Sequence, residues 1–181
     1  QLLDTANIYG AGHSERLVGQ AVRGRREDVV ICTKFGILCD EQAKKTTGLI
    51  ETADDIRASC EDSLRRLQTD YIDILLFHVS DFPLEKAPMV QECLERLADE
   101  GKLRGYGWST PDPERAALFA RGAHCVGFEF PENVLEDDAA MIGLCAGPGL
   151  SAICRTPLAM GLLTGKYNSE TQFKPGDLRG K

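Results

Sequence analysis

An α/β fold whose parallel sheet curls toward a barrel is the class the sequence predicts, on three observations. Apolar, often β-branched runs alternate with stretches of helical period along the chain. The runs end in, or just before, polar residues: Asp4, Lys34, His78, Ser109, Glu129 and Arg155. The two faces of the runs also differ, since successive strand residues point to opposite sides. Lys34 shares a face with Cys32 and Val30, His78 with Leu76 and Ile74, Ser109 with Gly107, Glu129 with Gly127 and Cys125, and Arg155 with Ile153. The opposite faces carry Thr33 and Ile31, Phe77 and Leu75, Trp108 and Tyr106, and Phe128 and Val126. Alternating strand and helix implies parallel strands with right-handed crossovers. Small or aliphatic residues topped by polar groups, backed by a bulky face under helices, favour a barrel over an open sheet.

The elements follow in order. Leu2-Leu3 is a short strand ending at Asp4, and Tyr9 lies in the loop that carries Gly10 and Gly12. Ser14 is placed to N-cap a helix to about Val22. Val29 to Lys34 is a β-branched strand stopped by Gly36. Residues 37 to 51 show no clear period and are expected to form a long loop. Thr52 and Asp55 form a capping-box pattern before Ile56, Cys60, Leu64 and Leu67 at helical spacing. Tyr71 to Phe77 is the strongest strand, with His78 next to it. Val90, Leu94 and Leu97 mark a helix stopped by Gly101. Leu103 to Ser109 is a strand, and Asp112-Pro113 opens a helix ending at Gly122. Cys125 to Glu129 is a strand, Leu135 to Ala146 a helix, and Leu150 to Arg155 the last strand. The tail from Lys166 is polar and rich in Gly and Pro, so it is expected to be loop. Six strands with a helix between each successive pair result, in one domain over residues 1 to 181.

Composition narrows the partners. A net charge of −7, with no basic run, argues against phosphate-driven nucleic-acid binding. No apolar run approaches the length of a membrane span and no signal peptide is visible, so no membrane partner is expected. The seven cysteines are odd in number and none form a C-x-x-C pair, which indicates reduced thiols in a cytoplasmic protein and no metal site. The chain lacks an initial Met and opens as if inside a strand, so a fragment is expected.

Asp4, Tyr9, Lys34 and His78 can perform one chemistry together. Tyrosine is a weak acid, with a reference pKa of roughly 10. An ammonium stabilises its phenolate, and a carboxylate holds the ammonium in place. Histidine at the same rim can orient a carbonyl oxygen. None of the four is a good nucleophile here, and no Gly-x-Ser-x-Gly arrangement is present. The group suits protonation of a carbonyl that is reduced by an external hydride, which calls for a nicotinamide cofactor. Gly10-Ala11-Gly12 lacks the third glycine of a phosphate loop, position 15 being Glu.

The stretches DTANIYGAGHSE, DVVICTKFG, SLRRLQTDYIDILLFH, GKLRGYGWS and PLAMGLLTGKY occur in that order along nearly the whole chain. Together they closely resemble the aldo-keto reductases. The resemblance implies a (β/α)₈ TIM barrel, here incomplete with about six βα units. It implies NADPH, or NADH, as cofactor and a small-molecule carbonyl substrate. It makes Tyr9 the general acid, tuned by Lys34 and Asp4, with His78 orienting the carbonyl. It also places cofactor contacts at Asp4, Ser109, Thr110, Glu129 and Arg155, and at Pro157, Leu158, Gly161 and Leu163 under the pyrophosphate. Three positions depart from the family: Thr110 stands where Asn is usual, Glu129 where Gln is usual, and Arg155 near where many members place an aromatic. Counted against the family, the chain runs from the second barrel strand to the seventh, without the adenosine-phosphate site. The expected activity is reduction of aldehydes or ketones to alcohols, with this chain alone an inefficient catalyst. The alternatives are a non-catalytic regulatory or scaffold subunit and an inactive fragment.

Overall fold

The computed structural model describes residues 1–147, 149–177 and 179. Six of the apolar runs form one parallel sheet: β1 (Leu2–Asp4), β2 (Val30–Phe35), β5 (Ile74–Phe77), β6 (Tyr106–Ser109), β7 (Cys125–Pro131) and β8 (Ser151–Arg155). They lie in the order β1-β2-β5-β6-β7-β8, and every neighbouring pair is parallel. The helices α1 (His13–Ala21), α2 (Ala53–Leu67), α3 (Ala87–Asp99), α4 (Pro113–Phe119) and α5 (Ala139–Ala146) separate them in sequence. The apolar faces of α2 to α5 meet one face of the sheet, while α1 packs beside α2 through buried Glu15 and Gly19. Ile31, Phe35, Leu75, Phe77, Trp108 and Phe128 pack there with Ile56, Leu67, Val90, Leu94 and Phe119. Each large side chain so buried contributes roughly 1.5–3 kcal/mol. The other face holds Cys32, Lys34 and Leu76, all fully buried.

The sheet is curled. β2 and β7 are three strand positions apart, which in a flat sheet means roughly 14 Å at about 4.8 Å per step. Lys34 Nζ on β2 nevertheless lies 3.2 Å from Glu129 Oε2 on β7. Curvature is helped where β6 crosses β7. A Cβ on Gly107 would fall 1.8 Å from the Gly127 carbonyl oxygen, so only glycine lets the two backbones approach.

The structure corrects the sequence reading at four places. Residues 37 to 51 do not form a long loop. They contain the antiparallel hairpin of β3 (Ile37–Asp40) and β4 (Lys45–Leu49), closed by Asp40 Oδ1 accepting from the amides of Gln42 and Ala43. The exposed β4 lacks the apolar alternation that would announce it. Helix α1 is capped by Gly12, at φ 82°, rather than by Ser14. The Gly10–Gly12 turn aims the chain into the helix, and the Ser14 hydroxyl accepts from Thr5 instead, at 2.8 Å. The strand pairing between β6 and β7 slips at Tyr106/Gly107, and the slip exchanges two side chains. Cys125 joins the core under the helices, while Val126 crowds the side of Gly105. Finally, α4 and α5 are shorter than expected: Gly122 lies beyond the end of α4, and α5 begins at Ala139 behind an Asp138 cap.

Just before β5, at the N-terminal ends of the strands, Asp73 ties three segments together. It accepts from Arg26 at 2.6 Å, from the Ile31 amide at 2.9 Å and from Arg104 at 2.9 Å. The predicted Thr52–Asp55 capping box is present on α2.

Candidate active site

Because all six strands run the same way, their C-terminal ends share one rim. Asp4 ends β1, Lys34 is the penultimate residue of β2, Ser109 ends β6, Glu129 lies near the end of β7 and Arg155 ends β8. His78 directly follows β5 and continues its ladder, its amide donating to the Phe35 carbonyl at 2.8 Å. Tyr9 stands in the turn between β1 and α1, held by its amide to the Ala6 carbonyl and by its carbonyl to the Ser14 amide.

Lys34 is the hub. Its ammonium donates to both Asp4 oxygens at 2.6 and 2.7 Å and to the Thr5 carbonyl at 3.1 Å. It also pairs with Glu129 at 3.2 Å and lies 5.6 Å from the centre of the Tyr9 ring. Burial alone would lower the Lys34 pKa, but Glu129 and Asp4 outweigh it and hold the ammonium above the ordinary lysine value. Tyr9 is 43% exposed, so an incoming molecule can reach its phenol. Burial, followed by the charges of Lys34 and Arg155, pushes the His78 imidazole down to about 4. His78 is therefore neutral near pH 7, and its Nδ1 is buried without a partner among the described residues. Burial and the charge of Asp4 raise the Cys32 thiol far above its usual range, so it stays protonated beneath the cluster.

The expected cofactor contacts divide into two groups. Ser109 Oγ donates to Glu129 Oε1 at 2.9 Å, which joins both residues to the Lys34 cluster. Thr110 is turned away, donating to the Ser80 carbonyl at 3.3 Å and accepting from the Asp112 amide. Beyond β8, Pro157, Leu158, Gly161 and Leu163 lie in a compact turn. It is closed by the Gly161 and Leu163 amides, both donating to the Leu158 carbonyl. Arg155, Thr156, Ala159, Met160 and Leu162 line a cavity of about 450 Å³ against Pro131 and Leu135. The buried Thr156 hydroxyl has no partner there among the described residues. A partly apolar cleft that carries one cation, the Glu136 carboxylate and one unsatisfied hydroxyl fits a large cofactor with both ring faces and polar groups.

Two parts of the cluster were not foreseen. The Thr5 carbonyl leaves no mark in a sequence, since every residue has one. The Glu129–Lys34 pair did leave one: an acid and a base on the same face at two strand ends.

The profile of the Aldo/keto reductase family matches residues 1–181. Aldo-keto reductase YhdN of Bacillus subtilis is 34% identical over 98% of this chain and 54% of its own length. Aldo-keto reductase yakc [NADP(+)] of Schizosaccharomyces pombe is 30% identical over 98% of this chain and 54% of its own. Among solved structures, the glycerol dehydrogenase AKR11B4 from Gluconobacter oxydans superposes with a TM-score of 0.87 at 32% identity. The match covers 99% of this chain and 56% of that one. The chain spans about half the length of the curated relatives it matches.

Proposed function

The chain belongs to the aldo/keto reductase family, and on that premise we propose that the protein reduces an aldehyde or ketone to an alcohol with NADPH, or NADH in its place. The bound nicotinamide would supply a hydride to the carbonyl carbon. Tyr9 gives its hydroxyl proton to the carbonyl oxygen, so the carbonyl gains one hydride and one proton. Lys34 stabilises the phenolate left behind, and Asp4 holds Lys34 in place. His78, neutral near pH 7, donates an N–H to the same carbonyl oxygen and fixes its direction. The observation that carries this reading is the buried Lys34 ammonium, clamped by Asp4 and set 5.6 Å from the Tyr9 ring.

Ser109, Arg155, Thr156 and the turn bearing Pro157, Leu158, Gly161 and Leu163 would hold the cofactor. The unsatisfied Thr156 hydroxyl and the Arg155 charge support that role. NADP(+) stands in the name of the S. pombe relative. Thr110 and Glu129 are weaker candidates, because their oxygens already have partners within the chain. Residues 1–181 act as a single barrel domain in this proposal. None of the described helices is long and apolar enough to cross a membrane.

The test is Tyr9→Phe in the full chain. Carbonyl reduction should fall by at least two orders of magnitude, the scale of a lost general acid. NADPH affinity, read by fluorescence quenching, should stay within a factor of two or so, because Tyr9 is no contact of the cofactor turn. Undiminished turnover by Tyr9→Phe would remove the proposal.

A further inference from the structure

Glu129 does more in this structure than stand at a strand end. Its carboxylate is 4% exposed and both oxygens are engaged, one by the Ser109 hydroxyl and one by Lys34. An ammonium has three protons to give. Around Lys34 they go to the two Asp4 oxygens and the Thr5 carbonyl, and Glu129 adds an ion pair at 3.2 Å, so the donors are engaged before Tyr9 is reached. Two carboxylates thus face one ammonium.

Resting on the reading of Tyr9 as proton donor, we propose that Glu129 is a positioning residue for the reaction: it draws the Lys34 charge across the barrel interior and keeps Tyr9 protonated to higher pH. The other groups facing the cluster do not cancel this effect. From β1 comes Asp4, a second negative charge. From β2 comes Cys32, whose thiol stays neutral. Beyond β5 stands His78, neutral above about pH 4. From β8 comes Arg155, a cation exposed to water and therefore screened. A protonated phenol is the form needed to reduce a carbonyl, while phenolate is the form needed to oxidise an alcohol. Glu129 therefore biases the site toward reduction on the alkaline side. Glutamine at this position would leave Lys34 paired with a single carboxylate, and the ammonium would act more fully on Tyr9.

The experiment is to titrate the Tyr9 phenol in the full chain without cofactor, by NMR of protein labelled with ¹³Cζ-tyrosine. The chain has four tyrosines, and the Tyr9 signal is the one missing from Tyr9→Phe. Tyr106 will not interfere, since burial and Glu95 raise its phenol well above the ordinary range. In Glu129→Gln the Tyr9 pKa should drop by about one unit, the size expected of one charge near a partly buried ion pair. The alkaline limb of the reduction profile should move down by the same amount. Glu129→Asp keeps the charge on a shorter arm and should give a smaller shift in the same direction. It also serves as the measurement if Glu129→Gln does not fold. A Tyr9 pKa unmoved in the folded variants would overturn the proposal. So would a Glu129→Gln effect confined to NADPH affinity, which would make Glu129 a cofactor contact only. Turnover surviving in Tyr9→Phe would remove the proton-donor role itself, while the titration would still judge whether Glu129 and Tyr9 are coupled.

Discussion

At the scale of single residues, Lys34 and His78 pull the pH dependence of stability in different windows. The folded state holds the Lys34 pKa above its ordinary 10.5. The native chain therefore binds that proton more tightly than the unfolded one. The resulting stability is complete below pH 10.5 and is lost as pH rises through the folded value. His78 works in the opposite sense. Its pKa falls from 6.5 to about 4, so protons favour the unfolded chain, and stability is lost as pH falls from 6.5 toward 4. Urea melts across these ranges check both. Lys34→Met should weaken the alkaline dependence, to which the raised Cys32 thiol and Tyr106 phenol also contribute, and His78→Asn should flatten the acid limb between pH 6.5 and 4. An unchanged acid limb in His78→Asn would mean that other groups set it. Asp4, Lys34 and His78 are legible from sequence because strand parity and strand ends are local properties. That Lys34 serves two acids is only half legible: the sequence puts Glu129 on the same face at another strand end, but the curvature of the sheet is what brings the two close.

At the scale of elements, buried parallel strands announce themselves and exposed ones do not. Tyr71 to Phe77 is a dense apolar run, and β5 forms inside it. The hairpin of β3 and β4 has an exposed second strand built from Lys45, Thr46, Thr47, Gly48 and Leu49, so its pairing rests on backbone bonds and the Asp40 turn rather than on an apolar face. Two substitutions compare what local chemistry and close packing contribute. Thr52→Ala removes the capping hydroxyl of α2 and should cost about 1 kcal/mol. Gly107→Ala puts a methyl where the Gly127 carbonyl stands, and that backbone cannot yield without parting β6 from β7. Its cost should reach about 3 kcal/mol or more, beyond ordinary overpacking. Denaturant midpoints of both variants measure the order, and a Gly107→Ala midpoint above that of Thr52→Ala would show that the two strands part easily. The helix start at Gly12 was hidden for a related reason: serine is the better cap by chemistry, but the turn geometry chose the glycine.

At the scale of the whole molecule, the strands of the large sheet follow chain order, so each βα unit pairs with the unit just made. The contact between Lys34 and Glu129 is different in kind, because it joins residues from distant parts of the sequence. Chain-neighbour pairings have short loops to close and form early, whereas distant contacts follow once the loop entropy has been overcome. The ion pair should therefore be absent from the folding transition state. Whatever stability it carries would then govern how fast the native state opens and have little bearing on how fast it forms. In stopped-flow measurements, Glu129→Gln should shift the unfolding limb of the chevron and leave the refolding limb nearly in place. If the refolding limb moved instead, the curl would precede the helices that cover it, and assembly would begin in the interior that holds the site.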